Sequence, residues 1–152
     1  MGLLWAWSVV AEVCIFFFFT RLFGSVSATR VLAISGVAAV LRWTFYPLIG
    51  PLGLGVPGFF ALQTLHALSF GLNFIGLQKL IAETVPEQRT GAAQGVAFFA
   101  SGLSMAAVTL LSGPLYARFG VQGFFAVAGF ALVGLVLIAL AARSAPELRL
   151  RR

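Results

Sequence analysis

Three ionisable side chains stand inside long apolar runs of this sequence: Glu12, Arg42 and His66. A carboxyl group surrounded by hydrocarbon must be protonated or paired, and proton-coupled carriers need a group that switches between those two states. Glu12 fits that description; the plain alternative is a structural hydrogen bond between helices. Arg42 lies near the far end of its apolar run, where a long side chain can also snorkel to the interface. His66 titrates near neutral pH and can relay a proton, or hold an anion when charged. It could equally supply one interhelical hydrogen bond.

His66 does not stand alone. The run Phe59 to Leu80, FFALQTLHALSFGLNFIGLQKL, is long enough to cross a bilayer yet carries Gln63, His66, Asn73 and Gln78. At about 100° per residue, Gln63, His66, Phe70 and Asn73 fall within about 80° of one another on a helix. A polar stripe at membrane depth must face protein or a water-filled cavity, because hydrocarbon offers no partners. Gln63 and Asn73 are therefore candidates to hydrogen-bond a substrate beside His66, and Phe70 to stack on a ring. Gln94 is expected to cap or bridge helices instead.

The elements that must position these groups are membrane helices. Of 152 residues, 61% are hydrophobic and 9% charged, and the mean hydropathy is +1.03. That composition lies far from a soluble domain. The net charge of +6 does not indicate a nucleic-acid partner, because the basic residues sit at the ends of apolar runs rather than among exposed aromatics. Cys14, inside an apolar run, has no partner for a disulfide and reads as a small packing residue. The first run lacks a basic leader and holds Glu12 in its middle, so it is a retained span rather than a signal peptide.

The expected architecture is an all-α polytopic membrane protein with five transmembrane helices at about 3–19, 31–46, 59–80, 92–115 and 124–142. The first span's apolar residues favour insertion by about 3 to 6 kcal/mol, and one central acid offsets about 2.5 to 3.5 of that. PLIGPLGLGVP, at 47–57, reads as a loop. The fourth span is rich in Gly, Ala and Ser, with Gly91 and Gly95 as a GxxxG pair, and is expected to be packed against other helices. The fifth is expected to face lipid over much of its circumference. Trp5, Trp7 and Trp43 read as lipid contacts and interfacial anchors.

Arg21, Arg30, Lys79, Arg89, Arg143, Arg149, Arg151 and Arg152 fall on one side of this arrangement and Arg118 on the other. The positive-inside rule then puts the N-terminus outside and the tail, 143–152, in the cytoplasm. An odd span count opening directly on an apolar helix suggests that a segment is missing upstream.

Five ordered stretches carry a resemblance: LWAWSVVAEV (Leu4 to Val13), VLRW (Val40 to Trp43), LHALSFG (Leu65 to Gly71), VPEQRTGAAQG (Val85 to Gly95) and LSGPLYARFG (Leu111 to Gly120). Together they resemble the C-terminal half of major facilitator transporters of the phenylpropionate-permease type, relatives of the lactose-permease group of proton symporters. The resemblance implies that the spans correspond to helices eight to twelve of a twelve-helix fold, a partial C-terminal domain with seven helices absent. It further implies a substrate site between two halves near the midplane. The family's acid, arginine and histidine on helices eight, nine and ten match Glu12, Arg42 and His66. Ser69 stands where the group has a second acid.

The resulting expectation is part of a proton-coupled symporter for a small organic acid, an aromatic one included, in the inner membrane. Its partners would be the solute, the proton, the bilayer and a missing N-terminal half or oligomeric mate. Protonation of Glu12 would release its pairing with Arg42 while substrate binds beside His66, Gln63 and Asn73. No metal-ligand spacing, nucleophile motif or phosphate loop appears, so no enzyme, metal or cofactor is expected. The competing classes are a five-span assembly or regulatory subunit and a homodimeric pore.

Overall fold

A computed structural model describes residues Gly2–Ser144, all of its regular structure helical. Met1 and residues 145–152 lie outside the described residues, and with them Glu147, Arg149, Arg151 and Arg152 of the expected basic tail. The helices are α1 (Gly2–Phe23), α2 (Ala28–Phe45), α3 (Gly55–His66), α4 (Leu72–Thr84), α5 (Thr90–Phe119) and α6 (Phe124–Ser144). A π-helical segment, Ala67–Gly71, joins α3 to α4 without a break.

Among the described residues, four continuous helical stretches are long and apolar enough to cross a membrane, not five. They are Gly2–Phe23, Ala28–Leu48, Gly55–Thr84 and Glu87–Ser144. The fourth and fifth expected spans merge because their connector, Gly120–Gly123, is itself a 3-10 turn. A straight stretch of 58 residues would run roughly 87 Å, about three times a hydrocarbon core. Gly120, at φ 57° and ψ −141°, bends it instead, in a backbone region open chiefly to glycine.

Neighbouring pairs give the helix directions. Leu32 meets Gly76 while Arg42 meets His66, so α2 opposes α3 and α4. Gln94 meets Gln78 and Phe98 meets Phe74, so α5 opposes α4. Gly36 meets Leu135 and Trp43 meets Phe124, so α6 opposes α2. The two helices of the long stretch therefore run in opposite senses.

The core lies along α2, whose Ala28, Val31, Leu32, Ser35 and Ala38 are buried. Close approach depends on two glycines. A Cβ on Gly76 would meet Leu32 and Val31 at 3.0 to 3.1 Å, and one on Gly36 would meet Leu135 at 3.0 Å. α2 thus packs on α4 and α6. The large apolar residues left exposed, from Leu3 and Trp5 on α1 to Leu137 and Leu140 on α6, form the surface a bilayer would cover.

One packing expectation reverses. No residue of α5 is buried, and Gly91, Gly95, Gly102 and Gly113 have nothing within 4 Å of the position a Cβ would take. Small residues permit close approach without compelling it; the close helix approaches here are at Gly36 and Gly76 instead. α6 packs on α2 at Gly36 but has a single buried residue, Ala128, and leaves most of its circumference exposed. The expected loop at 47–57 is also shorter, since a 3-10 turn covers Tyr46–Leu48 and α3 starts at Gly55. Pro57 is tolerated there because first-turn amides lack helical acceptors. Cys14 is exposed rather than packed.

At the other end, Lys79 Nζ donates to the carbonyls of Gly24 (3.0 Å) and Val26 (2.6 Å). It fastens the α1–α2 connector, where Gly24 is needed because a Cβ would collide with the Thr20 carbonyl oxygen.

Candidate functional site

Glu12, the eleventh of α1's 22 residues, sits half-way along an apolar helix. α2 supplies Arg42, three residues before its end. Gln63 and His66 come from the last turn of α3, and Phe70 from the π segment. The structure brings the first four into one hydrogen-bonded chain. His66 Nε2 lies 3.0 Å from Glu12 Oε1, His66 Nδ1 lies 2.8 Å from Arg42 Nη1, and Arg42 Nη2 donates to Gln63 Oε1 at 3.3 Å.

The chain fixes the imidazole's state. A guanidinium can only donate, so Nδ1 must accept and the ring proton sits on Nε2, donated to Glu12. Glu12 and Arg42 are therefore joined through His66, which corrects the expected direct pairing. A second ring proton would face Arg42's own N–H and break that hydrogen bond. Within this geometry His66 is a neutral bridge, and Glu12 is the end of the chain open to protonation. The side chains of His66 and Glu12 retain 24% and 18% exposure.

Phe70 stacks on His66, with ring centroids 5.4 Å apart and planes 19° apart, and is itself exposed. Asn73 departs from the stripe. It is exposed, and among the described residues no hydrogen bond links it to the others. The π segment explains this: one extra residue in a turn rotates everything after it by about 100°. Single-turn π segments frequently occur at functional sites.

Three participants were missed from sequence. Trp7 Nε1 donates to Thr64 Oγ1 at 3.0 Å, tying α1 to α3 at the residue next to Gln63. The Arg42 guanidinium carbon lies 4.6 Å from the Trp43 ring centroid, so neither tryptophan is simply a lipid anchor. Thr64 was signalled by its place beside Gln63; nothing in the sequence signals the indole contacts. Gln94 bridges to Gln78 at 2.7 Å, in line with expectation, away from the chain of ionisable groups. Arg42 Nε is buried without an acceptor among the described residues. Among those residues no group of three metal-ligating side chains occurs.

The profile of the MFS_1 like family matches residues 1–127. The "Probable 3-phenylpropionic acid transporter" of Escherichia coli (strain K12) is 31% identical over 139 residues, which cover 90% of this chain and 35% of that protein. The chain thus spans 35% of the length of the curated relative it matches. No solved structure matches.

Proposed function

Since this chain belongs to the MFS_1 like family, among the major facilitator proteins, we propose that it supplies the ionisable part of a carrier that moves a small organic acid together with a proton. One observation carries the reading: the unbroken chain from Glu12 through His66 to Arg42 and Gln63. With Glu12 ionised, His66 neutral and Arg42 charged, the formal charge of the set is zero. Protonating Glu12 makes it +1, and binding a carboxylate anion returns it to zero. Proton and anion thus favour each other's binding electrostatically, which is the coupling a symporter needs.

The aromatic face of Phe70 beside His66 and the name of the relative both support an arylalkanoic acid as the solute. The reading places the helices in the C-terminal half of a twelve-helix carrier in the inner membrane, with residues 20–30 and the Lys79 end toward the cytoplasm. The opposing half would come from a further segment or a partner chain. Rocking of the halves would alternate access to the cluster.

The test is uptake of radiolabelled 3-phenylpropionate into cells making the protein, with and without an imposed proton gradient. Gradient-driven accumulation is expected for the native protein. Glu12→Gln is expected to abolish accumulation while leaving exchange of labelled for unlabelled solute, since exchange needs no net proton movement. Undiminished accumulation by Glu12→Gln overturns the assignment.

A second reading, a non-transporting subunit, has one observation in its favour: α5 leaves every residue unburied, as a helix awaiting a partner would.

A further inference from the structure

Arg42 occupies an awkward place. Three residues from the end of α2, its side chain is long enough to reach the interface and be hydrated there, yet it turns inward to His66 and Gln63. Two hydrogen bonds to neutral acceptors are weak compensation for drawing a guanidinium from water. A third contact is the face of Trp43, with the guanidinium carbon 4.6 Å from the ring centroid. Trp gives the strongest of the cation–aromatic contacts, and these strengthen where water is excluded.

The indole is itself held. Its plane lies 6° from that of Phe124, with centroids 5.5 Å apart. Phe124 also meets Tyr46 at 4.6 Å, and Tyr46 meets Phe59 at 5.7 Å. This aromatic group draws on α2, α3 and the first residue of α6, directly after the Gly120–Gly123 bend. The orientation of Trp43 therefore depends on where α6 begins.

We propose that Trp43 is a positioning residue: braced by Phe124, its ring face holds the Arg42 guanidinium inward so that Nη1 reaches His66 and the imidazole stays in its Nε2–H form. The consequence for uptake rests on the carrier reading; the consequence for His66 does not.

The test uses the full chain, in which His66 is the one histidine, labelled with 15N-histidine and held in lipid nanodiscs. Nuclear magnetic resonance then reads both ring nitrogens without substrate. The native protein is expected to show a single Nε2–H tautomer. Trp43→Leu is expected to give a mixture of tautomers at unchanged helix content by circular dichroism, while Trp43→Phe, which keeps an aromatic face, retains the native spectrum. Phe124→Leu, removing the brace, is expected to shift the spectrum partway, and it serves as the test should Trp43→Leu not fold. In uptake, Trp43→Leu is expected to lose roughly tenfold and Trp43→Phe less than roughly threefold.

A native His66 spectrum in both Trp43→Leu and Phe124→Leu overturns the proposal. So does a Trp43→Phe spectrum as altered as that of Trp43→Leu, which would make the effect one of volume rather than of the ring face. Absence of 3-phenylpropionate uptake by the native protein, with the tautomer shifts as expected, would sink the carrier reading and leave the positioning role standing.

Discussion

The ionisable residues were legible because their cost is large: a charged group in hydrocarbon has few bland explanations, and the two of them and His66 join one cluster. What sequence could not give was the order of connection, since spacing says which face a residue lies on but not which partner's nitrogen it meets. His66 stands between the charges, so its replacement should separate them. His66→Leu is expected to lower uptake of 3-phenylpropionate at least tenfold, about the cost of one hydrogen bond to a charged group. Arg42→Lys is expected to behave alike, because a single ammonium is a poor substitute for a fork that spans His66 Nδ1 and Gln63 Oε1. Asn73→Leu, by contrast, is expected to stay within about twofold of native, because Asn73 makes no hydrogen bond to the cluster among the described residues and a solvent- or lipid-facing change is usually near neutral. An Asn73→Leu loss as large as that of His66→Leu would return Asn73 to the substrate wall.

At the scale of elements, hydropathy located the apolar runs but not their partners. Gly91 and Gly95 looked like a packing motif and are open, whereas Gly36 and Gly76 form no motif and sit at the tightest helix contacts. Leucine at each should tell them apart. Gly36→Leu and Gly76→Leu are expected to destabilise the fold by about 1 to 3 kcal/mol, the usual cost of overpacking. Gly95→Leu is expected to leave it unchanged or slightly more stable, since glycine is a poor helix former. Reversible unfolding in mixed micelles reads the difference, and equal losses at all three would show that α5 packs tightly after all. The π segment was illegible for another reason: ALSFG fits an α-helix locally, and only the fit of α3 and α4 against α1 and α2 decides where the surplus residue sits.

For the molecule as a whole, composition alone established a helical membrane protein, while the number of continuous stretches depended on whether a four-residue connector coils or turns. Water access to the cluster is the property on which carrier and subunit part. In a Cys14→Ser background, cysteines at Ala11 on α1 and Ser69 beside His66 are expected to react with a membrane-impermeant maleimide, and more slowly when 3-phenylpropionate is present. Protection of both without solute would favour a buried structural junction.

The Gln78–Gln94 contact has an implication of its own. It joins α5 to α4 through two amides, which carry no charge and do not titrate in the physiological range. A change of pH or ionic strength that rearranges Glu12, His66 and Arg42 therefore leaves this clasp untouched. The ionisable cluster and this clasp thus answer to different variables, one chemical and one mechanical. α5 can keep its hold on the bundle while the cluster is reset.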